Sequence, residues 1–173
     1  MMGGVGWLVN PAGNDRYRSG GIVGDPDRPG FFLSRSQGYA GMFQGGIGLL
    51  TDFKGDDLYD AAAEAQGAAT ALGVGSLADF AGHDSYIGFG NCQSYATQAG
   101  LATLFDLAGD DVYATRRTNC HARAFEAGVA MLIDREGDDN YAANPSMAGS
   151  AGPSSIAIFI DEAIKAVKST IFE

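Results

Sequence analysis

Asp52-Phe53-Lys54-Gly55-Asp56-Asp57-Leu58-Tyr59 returns as Asp79-Phe80-Ala81-Gly82-His83-Asp84-Ser85-Tyr86, and the same D-x-x-G-x-D-x-Y pattern runs again from Asp106 to Tyr113 and from Asp134 to Tyr141. An earlier copy carries Asn10 in place of the first aspartate, followed by Gly13, Asp15 and Tyr17. The tyrosines lie 42, 27, 27 and 28 residues apart, so the unit is about 27 residues long with one large insertion near the start. Self-similarity at such a period marks a stacked repeat, in which each unit buries its apolar surface only against its neighbours.

Working outward, a strand-like run precedes each copy: Val5 to Val9, Ile47 to Thr51, Val74 to Ala78, Leu101 to Phe105 and Val129 to Ile133, with Ile156 to Ile160 as a sixth. The second position is always Gly or Ala and the fourth always Leu or Phe, whereas the third varies from Trp to Ser. That period of two places positions two and four in a narrow interior. The uniformly apolar first position is not explained by alternation and is expected at a corner. Counting back from each next strand, Ala69/Ala96/Ala124/Ala151, Gly67/Ser94/Ala122/Gly149 and Ala65/Cys92/Cys120/Met147 form small or compact rows at every second residue. Between them lie mostly polar rows, including Gln66/Gln93/His121. The expected fold is all-β: a parallel β-helix of about six rungs over residues 1–160, with an insertion loop at about 20–32 and a capping helix at 161–173. The competing architecture is a strand-plus-helix solenoid of the leucine-rich type with residues 61–72 helical. Gly67, Gly90, Pro145, Gly149, Gly152 and Pro153 would fall inside its helices, where each is costly.

Composition agrees with this reading. The 26 glycines are spread along the chain, as tight turns at a regular interval require. A net charge of -10 argues against nucleic acid or an anionic membrane as partner and favours cations. No apolar run approaches the roughly 18 residues of a membrane helix, and the start lacks the basic and apolar regions of a signal peptide. An extracellular or cell-surface setting is expected. Cys92 and Cys120 do not form a C-x-x-C pair; they are expected as core thiols, with a disulfide or a nucleophile as the alternatives. Alternation sends Cys120 and His121 to opposite faces, which argues against a cysteine hydrolase.

The Gly-Asp-Asp-x-Tyr segments at Gly55, Gly109 and Gly137, and the weaker copy Gly82-His83-Asp84-Ser85-Tyr86, resemble the glycine-aspartate loops of RTX-type calcium-binding parallel β-roll repeats. The resemblance covers the repeat region as a pattern. It implies calcium as the cofactor, with Asp57, Asp84, Asp111 and Asp139 as metal ligands.

In-register stacking places the rows Asp52/Asp79/Asp106/Asp134/Asp161 and Asp15/Asp57/Asp84/Asp111/Asp139 at steps of about 4.8 Å. Repulsion between neighbours is then on the order of 3 to 4 kcal/mol at an effective dielectric near 20. Two arrangements offset it: calcium, a hard cation wanting several oxygens, or Asx turns in which each aspartate accepts N–H groups from its own turn. The tyrosine row is expected to be a structural aromatic ladder. Gln66, Gln93, Tyr95, His121 and Arg123, with Asn91 and Asn119 alongside, are expected as an outward patch able to bind an extended glycan or a protein.

These features point to a non-catalytic structural or binding module, acidic and stabilised by calcium, working at a surface or in an assembly. The alternative is a carbohydrate-active, polysaccharide-cleaving β-helix enzyme, because such folds host acid/base carboxylates. Asp25, Asp27, Glu64 and Glu126 are acids that stand outside the repeated rows. An ice-binding face would need more repeated threonines than Thr70 and Thr97. At the ends, Asp161 is expected to cap an amphipathic helix carrying Ile164, Val167 and Ile171. The first strand has no cap, so Val5, Trp7 and Leu8 are expected to pair with another copy, as a homo-oligomer, or with further sequence of a longer parent protein.

Overall fold

The computed structural model describes residues 4–19, 37–40, 45–115, 119–142 and 148–162, and contains no helix among them. The chain winds as a parallel β-solenoid of about four turns with three sides. Sheet A holds six strands in chain order: β1 (Val5–Asn10), β3 (Gly46–Asp52), β5 (Gly73–Asp79), β8 (Leu101–Asp106), β11 (Val129–Asp134) and β14 (Ile156–Asp161). Sheet B holds β2 (Arg16–Ser19), β4 (Leu58–Ala63), β6 (Ser85–Gly90), β9 (Val112–Thr115) and β12 (Asn140–Ala142). The short sheet C is β7 (Tyr95–Ala96), β10 (Arg123–Ala124) and β13 (Ser150–Ala151), extended by bridges through Ala40 and Ala69. The six expected rungs appear as six strands of sheet A in a solenoid of about four turns.

Every neighbouring pair is parallel and in register, with Leu50 opposite Leu77, Leu77 opposite Leu104 and Leu104 opposite Leu132. This column is buried, as alternation requires, with exposures of 4, 0, 0 and 0%. At the same position Leu8 is 51% exposed, because β1 is an end strand with a neighbour on one side only. In sheet B the rings of Tyr17, Tyr59, Tyr86, Tyr113 and Tyr141 stack at centroid distances of 4.9, 4.8, 4.7 and 4.6 Å. Stacked pairs of this kind each add about 0.5 to 1.5 kcal/mol beyond the area they bury.

The structure corrects several expectations. The competing leucine-rich architecture is not the one adopted, since residues 61–72 begin in β4 and contain no helix. The apolar first positions do not sit at a corner; they are paired in register within sheet A, as Ile47 is with Val74, and face outward. Strict alternation fails beyond sheet B. Gln66, Gln93, Ser94, His121 and Ala122 have φ of 56, 49, 66, 58 and 57°, and left-handed residues turn the backbone so that consecutive side chains share the interior. The small rows are inside from Ala65 to Ala124, whereas Ala151 at the end of the stack is exposed and Met147 lies outside the described residues; the Gln66/Gln93/His121 row is inside as well. Cys92 and Cys120 are inward yet not free thiols. Adjacent turns bring their Cα atoms to 4.8 Å, and they form a disulfide. Asp161 is the last residue of β14. The insertion at 20–32 and the remainder of the helix expected at 161–173 lie outside the described residues.

Candidate metal centre: the aspartate columns

Each turn from sheet A to sheet B is built around a glycine that lies against the glycine of the turn before. A Cβ on Gly55, Gly82, Gly109 or Gly137 would lie 1.5, 1.6, 1.7 or 1.8 Å from the carbonyl oxygen of Gly13, Gly55, Gly82 or Gly109. This backbone-on-backbone contact holds the turns in register and draws the aspartates into two inner columns.

The first aspartate closes its own turn. Oδ1 of Asp52, Asp79 and Asp106 accepts the N–H of Lys54, Ala81 and Ala108 at 3.1, 3.2 and 3.2 Å. Its Oδ2 accepts the phenol of the turn before: Tyr59 donates to Asp79 and Tyr86 to Asp106 at 2.5 Å each, and Tyr17 donates to Asp52. The second aspartate closes the preceding turn instead. Oδ1 of Asp57, Asp84, Asp111 and Asp139 accepts the N–H of Asp15, Asp57, Asp84 and Asp111 at 2.6, 2.6, 2.6 and 2.8 Å. Own-turn Asx bonding thus describes the first column and not the second.

The remaining oxygen of the second column has no hydrogen-bond donor. Oδ2 of Asp57, Asp84, Asp111 and Asp139 is buried and unpartnered. Within a turn the two carboxyl groups bring oxygens within 4.8 Å of each other, Asp79 with Asp84 and Asp106 with Asp111. Facing carboxylate oxygens require a proton or a cation between them. Burial, reinforced by repulsion from neighbouring aspartates, pushes the carboxyls of Asp57 and Asp134 up to about 7 and that of Asp84 up to about 9.

Four groups of three carboxylates each bring one oxygen per residue within 4.8 Å of the others: Asp15/Asp52/Asp57, Asp57/Asp79/Asp84, Asp84/Asp106/Asp111 and Asp111/Asp134/Asp139. Successive groups share an aspartate. An all-oxygen set with an unpartnered buried atom in each of its repeats fits a hard divalent cation, and three carboxylates contribute part of the six to eight oxygens that calcium takes. The expected ligands Asp57, Asp84, Asp111 and Asp139 all belong to these groups. The first-column aspartates Asp52, Asp79, Asp106 and Asp134 belong as well, and the fixed five-residue spacing within D-x-x-G-x-D was their signal.

A third column, at the outer edge of the same turns, was not anticipated. Asn14, Asp56, His83 and Asp110 accept the N–H of Asp56, His83, Asp110 and Asp138 at 3.2, 3.0, 2.9 and 2.9 Å, with Nδ1 acting for His83. The acceptor-bearing residue just before each second aspartate was the available signal.

The expected outward patch is not assembled. Gln66 and Gln93 are fully buried, and their Nε2 groups donate to the carbonyls of Tyr59 and Tyr86 at 2.7 Å. His121 is buried edge-on to Tyr113 and Tyr141, and burial lowers its pKa to about 4. Cys120 is buried beside it in sequence, so the opposite-faces argument against their partnership does not hold; the disulfide, which occupies the thiol, replaces it. Tyr95 and Arg123 remain partly exposed on sheet C, where the Arg123 guanidinium lies 4.7 Å from the Phe125 ring. Comparison with protein-family models, curated proteins and solved structures found no match to this chain.

Proposed function

We propose that this chain is a non-catalytic structural or binding solenoid whose inner aspartate columns take up calcium ions between turns, locking the stack for work at a surface or in an assembly. The unpartnered Oδ2 atoms of Asp57, Asp84 and Asp111 carry this reading, because they are 3, 1 and 1% exposed and face other carboxylates. The same burial argues against acid/base chemistry by these aspartates, since a polymeric substrate could not reach them. The Cys92–Cys120 disulfide supports an oxidising compartment, consistent with an extracellular or cell-surface setting.

Calorimetric titration of chelator-stripped protein with calcium tests the reading. Saturable uptake that raises the melting temperature, and that is weakened by Asp84→Asn together with Asp111→Asn, is the expected result. Absence of uptake, with a melting temperature at pH 8 indifferent to chelator, would mean that the columns hold protons instead.

A further inference from the structure

The outward side of sheet A is an uncharged apolar plane on an acidic molecule. Alternation sends positions one, three and five of each of its six strands outward. With 18% of the chain charged, so many surface positions would carry about three charges, and they carry none; charge depletion of this kind marks the core of an interface. Large apolar groups stay uncovered, among them Trp7 at 66%, Ile47 at 39%, Ile156 at 55% and Ile158 at 36% exposed. The polar groups of the plane are Thr51, Ser76 and Thr103. Thr51 accepts the indole N–H of Trp7 at 3.2 Å, and Thr103 donates to Ser76 at 2.8 Å. Each hydroxyl already has a partner within the plane, so covering it strands no unpaired hydroxyl.

We infer that this plane packs face to face against the same plane of a second copy of the chain. Six strands at about 4.8 Å and five residues at about 3.3 Å give a patch of roughly 500 Å². Two such patches bury about 1,000 Å², the lower bound for a specific interface. A second copy presents ridges with the same spacing, which can interlock along the whole sheet as in a β-sandwich. Two molecules of charge -10 repel one another, and a contact through this plane keeps the acidic turns out of the interface. This inference is independent of calcium.

Sedimentation of the full chain across about 1 to 100 µM tests it, spanning the range in which interfaces of this size associate. A dimer is expected, with the emission of Trp7, the single tryptophan, shifting to the blue as it forms. Met131→Lys and Ile47→Lys place a cation on the plane, where the lysine stem can lie along it and leave the fold intact. Each should weaken the dimer by at least about 100-fold, as loss of a central apolar contact does, with circular dichroism and melting temperature retained. A monomer throughout this range overturns the inference, as it would if residues 20–36 or 163–173 covered the plane. So does a dimer that survives both lysines and is lost with Leu8→Lys, which would mean edge pairing at the first strand.

Discussion

Tyr86 donates its phenolic hydrogen to Oδ2 of Asp106 in the following turn, at 2.5 Å between two groups that are both wholly buried. Tyr86→Phe keeps the ring in its stack and removes this donor alone. The cost expected for a buried acceptor left unpaired is about 1 to 3 kcal/mol, read as a lower urea midpoint with unchanged slope. An unchanged midpoint would show that another donor replaces the phenol.

Gly109 tests the stacking of the turns. Its added Cβ would fall 1.7 Å from the Gly82 carbonyl oxygen, and backbone on both sides leaves no flexible atom to yield. Gly109→Ala should cost about 3 kcal/mol or more, at the upper end of overpacking effects. Gly6→Ala is the control, since nothing lies within 4 Å of a Cβ there. Thermal melts of the two variants should differ by several degrees or more.

His121 replaces the glutamine found at the same row in the two preceding turns. Folded His121 stays neutral to about pH 4, whereas in the unfolded chain it takes up a proton near pH 6.5. Between those values the unfolded state binds more protons, so this residue removes stability as pH falls from about 6.5 to 4. His121→Gln should lift that loss relative to wild type, and its amide can donate to the Tyr113 carbonyl as Gln93 does to Tyr86. Parallel melting curves from pH 7 to 4 check the difference.

The aspartate columns give the opposite slope. Their raised carboxyls keep protons in the folded state that the unfolded chain has released above about pH 4, so metal-free protein should lose stability as pH rises toward 7 for Asp57 and Asp134 and toward 9 for Asp84. Calcium competes with those protons, and millimolar calcium should flatten or reverse the trend. Melting temperatures from pH 5 to 9, with chelator and with calcium, give the comparison. A flat profile in chelator would show that the buried carboxyls hold no protons.

The parallel stack, the buried leucine column and the tyrosine ladder were legible because sheets A and B are extended, and there a period of two maps directly onto inside and outside. The Gln66/Gln93/His121 row was misassigned because left-handed residues interrupt that mapping, and a non-glycine residue at positive φ leaves no mark in a hydrophobic pattern. The disulfide is within reach of the sequence, since Cys92 and Cys120 occupy the same row in adjacent turns. Which turn an aspartate serves could not be read from the repeat: Asp84 lies in one turn and accepts the amide of Asp57 in another, a choice that depends on three-dimensional geometry and leaves no mark in the spacing.

Donors of the inner and outer columns point in opposite directions along the stack: the outer amides of Asp56, His83, Asp110 and Asp138 find their acceptors in the turn before, and Tyr141 donates to Asp134 of its own turn. The amides of Asp15, Asp57 and Asp84 and the phenols of Tyr17, Tyr59 and Tyr86 all find their acceptors in the turn that comes later in the chain. Each added coil therefore accepts the inner amides of the turn already in place and sends its own outer amides back to that turn, so neighbouring coils are fastened reciprocally, like interlaced fingers.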